Sequence, residues 1–379
     1  MKITNKPGLG IYMTFELSKE KPIHGWFWYK EGFAPELVEY CLKDSGAKSV
    51  LDPFCGVGTT LLAAKDNGIE SAGVDASPLA VFASKTKTDD YSDEDRENAL
   101  AFLTKIAKPA PVPDVEWQFE LFSPRAAFPK RNYTEILAIR EAIEQEEGRS
   151  RNILLLALLS ILPQASLVMK DGGVLKIRKD KKALPAKEIF RRRVKRMVKD
   201  LETQSKGHSP EVFLGDARAP GIPGESFDAV ITSPPYLNNI DYSKIYGLEL
   251  SLLSMSKAEA EEVRLRAVRS FIGRDMKAQE MPSEVGEIGL RIPIIGTYFR
   301  DMESAISEMF RVLRPGGAAY VVVSNSVIHE THVMVDEIFA QMAERIGFSD
   351  AEIAIGAERI ADVRPQKVRT RESIVVMRK

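Results

Sequence analysis

The sequence predicts an α/β protein: a mostly parallel sheet of seven strands with an antiparallel C-terminal strand, interrupted by helical insertions. Three observations carry that prediction. Short apolar runs end repeatedly in glycine, an acid or a polar residue. Segments with helical periodicity separate them. The alternation then breaks off twice, over 89–206 and 243–297.

In chain order, residues 1–20 read as irregular. Phe33–Lys43 reads as a short helix whose Ala34-Pro35-Glu36 start puts proline in the first turn. Ser49-Val50-Leu51 is an apolar strand running into Asp52-Pro53-Phe54-Cys55-Gly56-Val57-Gly58-Thr59-Thr60, with a helix over Thr59–Asn67. Ser71–Val74 is a second strand closed by Asp75, and Pro78–Lys85 is helical after it. Strand, glycine loop, helix, strand and acid form the first half of a nucleotide-binding α/β unit. Residues 89–206 read as helical and irregular: Glu94–Ile106, a proline-rich stretch at 108–113, Tyr133–Glu147, and the apolar 151–168. That last segment is apolar nearly all round from Ile153 to Leu162, which predicts burial. Strands resume at Glu211–Leu214, ending in Gly215-Asp216, and at Ala229–Thr232, ending in Ser233-Pro234-Pro235-Tyr236. A helix over Tyr298–Leu313 stops at Arg314-Pro315-Gly316-Gly317 before the strand Ala318–Ser324. Glu352–Ile355 and Ser373–Met377 are positioned to pair as an antiparallel hairpin.

Hydrophobic residues at 44% and charged residues at 28% describe a globular chain and exclude wholesale disorder. Its 379 residues allow two or three domains, or one with large insertions. Cys41 and Cys55 make no disulfide framework, and no CxxC pair offers a zinc site. His24, His208, His329 and His332 form no spaced metal set, so no metal is predicted. The N-terminus lacks the charged start and apolar run of a signal peptide, and the longest apolar stretch is half of the ~20 residues a membrane span needs. A cytoplasmic protein with no membrane partner is expected.

A net charge of −1 argues, taken alone, against a nucleic-acid partner. The charge is unevenly spread, however. Residues 170–200 hold thirteen Lys/Arg against four Asp/Glu, a net +9 that leaves −10 for the remainder. Phe190, Val194, Met197, Val198 and Leu201 fall on one helical stripe, and Arg191, Arg192, Arg193, Lys195, Arg196 and Lys199 occupy the rest of the circumference. Such a surface is either a merely solvated face or a docked helix suited to phosphate contact. Arg264, Arg266, Arg269 and Arg274 make a smaller cationic set.

In an open parallel sheet the carboxyl ends of the strands form the ligand crevice. The Gly56–Gly58 loop lets backbone approach a ligand closely, and Asp75 is placed for ribose hydroxyls. The spacing is not GxGxxG and no Walker lysine follows Gly58-Thr59-Thr60, so a cofactor without phosphates fits better than a triphosphate or a dinucleotide. Ser233-Pro234-Pro235-Tyr236 is the more specific signal. Two prolines fix φ and lack N–H, so the Ser233 and Pro234 carbonyls are held in set directions as acceptors. A hydroxyl, rigid carbonyls and an aromatic face suit a planar exocyclic amine; a proline-terminated strand before a core tyrosine is the bland alternative.

With these motifs the chain resembles the amino-group DNA methyltransferases, which use S-adenosylmethionine to methylate cytosine N4 or adenine N6. Asp52-Pro53-Phe54-Cys55-Gly56-Val57-Gly58-Thr59-Thr60 is similar to that family's DPFxGxGTT cofactor loop, and Ser233-Pro234-Pro235-Tyr236 to its catalytic box in the serine form associated with cytosine N4. Gly73-Val74-Asp75-Ala76-Ser77-Pro78 resembles the second motif, with Asp75 on the ribose. Leu214-Gly215-Asp216-Ala217 resembles the third, with Asp216 near the adenine. Tyr29–Pro35, including Phe33, resembles the motif that closes over the methionine end. The resemblance implies a Rossmann-like class I methyltransferase domain over 20–88, 207–242 and 298–379, about half the chain. The basic helical insert 89–206 and the second insert 243–297 are then candidates for DNA binding and target recognition.

The implied reaction is direct SN2 transfer to a flipped-out cytosine, with Ser233 and the Pro234 carbonyl orienting the amine and Tyr236 stacking. It needs no cysteine nucleophile, and Cys55 reads as a small loop residue. Tyr242 and Tyr246 are candidates to line the base pocket, Tyr246 equally a core residue on a helix through Leu253. Trp26, Phe27 and Trp28 either cover the cofactor or pack against the sheet. DNA is the expected partner, with a cognate restriction endonuclease. Adenine N6 methylation, an RNA substrate and a non-enzymatic nucleic-acid-binding module are the rival readings; the last predicts damage to one of the two motifs, and both are intact.

Overall fold

The computed structural model describes residues 1–107, 117–171, 173–238, 240–254, 262–263, 266–270, 281–363 and 366–379. Its main sheet is built from β1 (Lys2–Asn5), β2 (Ser49–Asp52), β3 (Glu70–Asp75), β4 (Glu211–Leu214), β5 (Phe227–Thr232), β6 (Leu313–Ser324), β7 (Asp350–Val363) and β8 (Gln366–Arg378). Their spatial order is β1-β7-β8-β6-β5-β2-β3-β4. Strands β4, β3, β2, β5 and β6 run parallel to their neighbours, while β8 lies antiparallel between β6 and β7. The chain runs outward from β2 through β3 to β4, then returns to β5 and runs outward the other way. The order therefore reverses between β2 and β5, where an open α/β sheet binds its ligand. This is the Rossmann-like class I methyltransferase topology, with one strand added.

The added strand corrects the sequence reading, in which residues 1–20 were irregular and the sheet had seven strands. β1 pairs in parallel with Glu352–Ile355 at the sheet edge, and its residues are mostly exposed, so no apolar alternation marks it. Strand β6 also begins earlier than Ala318. Phe227 pairs with Leu313 and Ala229 with Ala318, so Arg314-Pro315-Gly316-Gly317 bulges out of the ladder, with Gly316 at φ 81°. β7 and β8 extend well beyond the apolar cores predicted for them, through polar residues such as Glu358, Arg359 and Thr370.

The helices are α1 (Pro35–Ser45), α2 (Thr59–Asp66), α3 (Pro78–Thr88), α4 (Asp93–Lys105), α5 (Pro124–Ala127), α6 (Lys130–Glu144), α7 (Gly148–Ala165), α8 (Ala186–Asp200), α9 (Tyr242–Ile245), α10 (Gly247–Ser254), α11 (Gly286–Arg291), α12 (Pro293–Val312) and α13 (Val335–Ile346). The proline-rich 108–113 lies outside the described residues. Strand alternation sorts the sheet's side chains onto two faces. Val321, Val323 and Val375 pack with α12 and α13, whereas Tyr320, Val322 and Ile374 pack with α1.

Residues 89–206 share their core with the helices that flank the main sheet. One apolar cluster joins Leu62 on α2 and Leu79 and Ala83 on α3 to Phe102, Ile139, the Ile153–Leu162 face of α7, and Phe190 and Val194 on α8. Each fully buried Leu or Ile contributes ~1.5–3 kcal/mol, so this insert is welded to the sheet domain rather than tethered to it. Within it, Val168–Asp171 and Val174–Ile177 form a two-stranded ribbon.

Candidate active site

A cavity of about 310 Å³ opens at the carboxyl ends of β2, β3 and β5. From the predicted set it is lined by Tyr29, Phe33, Asp52, Pro53, Phe54, Gly56, Thr59, Asp75, Ala76 and Ala217, and by Ser233, Pro234, Pro235 and Tyr236. The two motifs, far apart in sequence, thus face one space. Gly58, Thr60 and Asp216 do not line it.

Those three have other places. Thr60 donates its hydroxyl to Asp52 Oδ2 at 2.7 Å, and Thr232 donates to Asp52 Oδ1 at 2.6 Å; the Phe54 N–H reaches the same Oδ1 at 3.1 Å. Asp52 therefore pins the start of the loop to α2 and β5. Gly58 caps α2 at φ 78°, and a Cβ there would lie 2.4 Å from Ser84 Oγ. Asp216 is held by Arg218, whose guanidinium donates to both carboxylate oxygens at 2.7–3.0 Å and also pairs with Asp301.

Asp75 is one of the acids that line the cavity. Gly56 N–H donates to its Oδ2 at 2.9 Å and Ser77 N–H to its Oδ1 at 2.8 Å. Loss of solvent pushes its carboxyl up to about 6, against those two hydrogen bonds. Its remaining lone pairs suit a pair of ligand hydroxyls. Gly56 carries φ 51°, and a Cβ on it would come 3.4 Å from the Tyr29 ring, so the backbone is bare where a ligand passes. The loop 52–60 has no lysine or arginine for phosphates. These features fit a nucleoside cofactor without phosphates, with Asp75 on the ribose and Tyr29 and Phe33 beside the loop.

The Ser233-Pro234-Pro235-Tyr236 segment leaves β5 directly after Thr232. Tyr298 donates its hydroxyl to the Pro235 carbonyl at 3.0 Å, fixing the box from α12. Tyr236 donates to Glu372 Oε1 on β8 at 3.0 Å. Neither partner was foreseen: Tyr298 read as a helix residue, and Glu372 lies in a polar stretch without motif. Lys87 was missed as well; it is fully buried and donates to the Val57 carbonyl at 2.8 Å.

Tyr242 and Tyr246 both line the cavity. Tyr246 is also a core residue, stacked on Tyr29 with ring centroids 4.6 Å apart and hydrogen-bonded to Glu31 at 2.6 Å. Lys170 from the basic window lies 3.6 Å from its ring centroid. Trp26 and Phe27 are buried in the core, with Trp26 Nε1 donating to Asp200 at 3.0 Å, while Trp28 stays partly exposed. Cys55 is buried in the loop, and desolvation raises its thiol well above the ordinary value, the reverse of what a nucleophile needs.

On α8 the expected apolar stripe is buried, and the six cations divide. Arg192, Lys195, Arg196 and Lys199 are exposed, and Arg191 and Arg193 half-buried. Arg191 reaches the Leu103 carbonyl at 3.4 Å, Arg192 pairs with Glu188 at 3.4 Å, and Arg196 pairs with Glu20 at 3.1 Å. Among the described residues no carboxylate pairs with Lys195 or Lys199. In the second cationic set Arg264 and Arg274 lie outside the described residues; Arg266 lines the cavity and Arg269 donates its N–H to Asp301. No three His, Cys, Asp or Glu side chains gather as a metal site among the described residues, and none of their helices is long and apolar enough to cross a membrane.

No family model matches the chain. It is similar to the Type II methyltransferase M.BsoBI of Geobacillus stearothermophilus, 26% identical across 97% of this chain and 87% of that one. It is likewise similar to the Type II methyltransferase M.AvaI of Nostoc sp., 27% identical across 90% of this chain and 82% of that one. A shorter stretch, 26% of the chain, is 40% identical to part of the Type II methyltransferase M.MjaII of Methanocaldococcus jannaschii. The two long matches, at 26–27% identity, are to proteins named Type II methyltransferases, and the features of the cavity fit S-adenosylmethionine as a cofactor.

Proposed function

We propose that this protein is a site-specific DNA methyltransferase that methylates the exocyclic N4 of a flipped-out cytosine by direct SN2 transfer. The observation that carries the reading is the meeting of Asp75 and the Gly56 loop with Ser233–Tyr236 around one cavity. S-adenosylmethionine supplies a methyl group activated on a sulfonium. The chain's own residues do the rest. Asp75 accepts the ribose hydroxyls, and the Gly56 turn lets the nucleoside lie against bare backbone. Ser233 Oγ and the Pro234 carbonyl accept the amine's N–H bonds, which draws the nitrogen lone pair out of conjugation with the ring. Tyr236 presents its ring to the base and Tyr242 closes the wall.

The serine of the box favours cytosine over adenine. DNA as the substrate is supported by the Type II names of the relatives, which also favour a restriction-modification setting with an endonuclease partner. The exposed cations of α8, Arg192, Lys195, Arg196 and Lys199, supply phosphate contacts that help offset the few kcal/mol of unstacking a base. A cytoplasmic location suits two buried free thiols. Ser233→Ala and Tyr236→Ala proteins should retain cofactor binding and lose methyl transfer to DNA; either one methylating DNA as fast as wild type contradicts the mechanism.

A further inference from the structure

Residues 28–34 belong to no helix or strand, so their position depends on ties made by side chains. One side chain grips three of them in succession. The Lys30 N–H donates to the Tyr246 hydroxyl oxygen at 3.1 Å, and that hydroxyl donates in turn to Glu31 Oε2 at 2.6 Å. The Tyr246 ring stacks on Tyr29, with the planes 20° from parallel. Tyr29, Lys30 and Glu31 all line the cavity, and Tyr29 is the residue that a Cβ on Gly56 would meet at 3.4 Å. Where this segment sits therefore decides the shape of the cavity beside the glycine loop.

Tyr246 is itself held by residues 89–206. It stands at the junction of α9 and α10. Trp117 Nε1 donates to Ser251 Oγ on α10 at 2.9 Å, and the buried Arg140 donates to the Leu252 and Leu253 carbonyls, both at 3.2 Å. The Lys170 ammonium faces the Tyr246 ring. The tyrosine is 4% exposed. Its hydroxyl is engaged as donor and as acceptor, and its ring is packed against Tyr29 and Lys170, so little of it is left to meet a base.

We propose that Tyr246 is a positioning residue for the methyl donor: it fixes Tyr29, Lys30 and Glu31 beside the Gly56 loop and so sets cofactor affinity, and it does not read the target base. The inference rests on the reading of the cavity as an S-adenosylmethionine site. Without the hydroxyl, the Lys30 N–H and the Glu31 carboxylate each lose a partner, and the hold of Tyr246 on the segment reduces to the ring stack. The cofactor must then order the segment as it binds, which weakens its affinity. Once it is bound the segment is in place, and methyl transfer proceeds as before.

The full chain is titrated with S-adenosylmethionine by calorimetry and assayed with DNA in steady state. Tyr246→Phe keeps the ring and removes the hydroxyl. It should raise Kd and KM for the cofactor about tenfold, with kcat at saturating cofactor and DNA affinity within about twofold of wild type. The Lys30 amide should exchange faster with solvent. A merely structural defect would instead lower the active fraction, and with it kcat, at an unchanged KM. Glu31→Ala cuts the same bond from its other end and serves where Tyr246→Phe folds poorly. It should weaken cofactor binding in the same sense, and the double variant should bind no more weakly than Tyr246→Phe. A folded variant of either kind at wild-type cofactor affinity overturns the proposal. So does a Tyr246→Phe chain that loses DNA affinity or kcat at an unchanged cofactor KM. A wild-type chain that binds no S-adenosylmethionine overturns the cofactor reading itself, before the variants are compared.

Discussion

The Lys87 ammonium lies 2.8 Å from the Val57 carbonyl, fully buried beneath the loop that carries Gly56 and Gly58. Desolvation lowers its pKa from 10.5 to about 7. Removing the side chain leaves a buried carbonyl without its donor, which costs about 1–3 kcal/mol and loosens the loop. Lys87→Met should therefore weaken S-adenosylmethionine binding about tenfold in calorimetric titration. The pH dependence has a definite sign. Between about 7 and 10.5 the unfolded lysine holds its proton and the folded one has released it, so stability rises with pH across that window. The melting temperature of wild type should gain on that of Lys87→Met as pH goes from 7 to 10.

Asp75 predicts a pH dependence of cofactor affinity in a lower range. Its carboxyl sits at about 6, and it must be ionised to accept two hydroxyls. Cofactor affinity should fall about tenfold per pH unit below 6. Asp52, also raised to about 6, is hydrogen-bonded to Thr60 and Thr232 and shares that pH range. Asp75→Asn separates the two: it should bind weakly at pH 8 and lose most of the slope, while an unchanged slope would assign the titration to Asp52.

Gly58 combines φ 78° with a Cβ position 2.4 Å from Ser84 Oγ and 3.1 Å from Ser84 Cα. Gly58→Ala therefore meets both backbone strain and a steric clash with the backbone of α3. A loss of about 1–3 kcal/mol in urea unfolding is expected. Gly46, at φ 64° with open space around it, is the control for strain alone.

Lys195 and Lys199 are exposed on α8 without an ion-pair partner among the described residues. Replacing both by glutamate should weaken DNA binding at every sequence equally. The slope of log affinity against log salt should fall by about 0.9 for each phosphate that is no longer neutralised. Full affinity in the double variant would move the DNA to another surface.

Much of this was legible from residues alone. Asp52–Thr60 and Ser233–Tyr236 announced themselves because glycine frees the backbone, and proline restricts it, in ways that few other residues do. The α8 stripe was readable because its period is helical. What escaped detection depends on distant pairing. β1 is a short exposed edge without alternation, and Arg359 and Glu372 belong to polar reaches of a hairpin whose register only the sheet defines. Asp216 shows the converse. Its motif position suggested the adenine, yet Arg218, two residues on, occupies its carboxylate.

The most direct measurement is to incubate the full chain with DNA and labelled S-adenosylmethionine, digest the DNA to nucleosides, and identify the labelled one by mass. Label in N4-methylcytosine is the predicted result. Label confined to N6-methyladenine, or transferred to RNA and not to DNA, would contradict the proposed substrate.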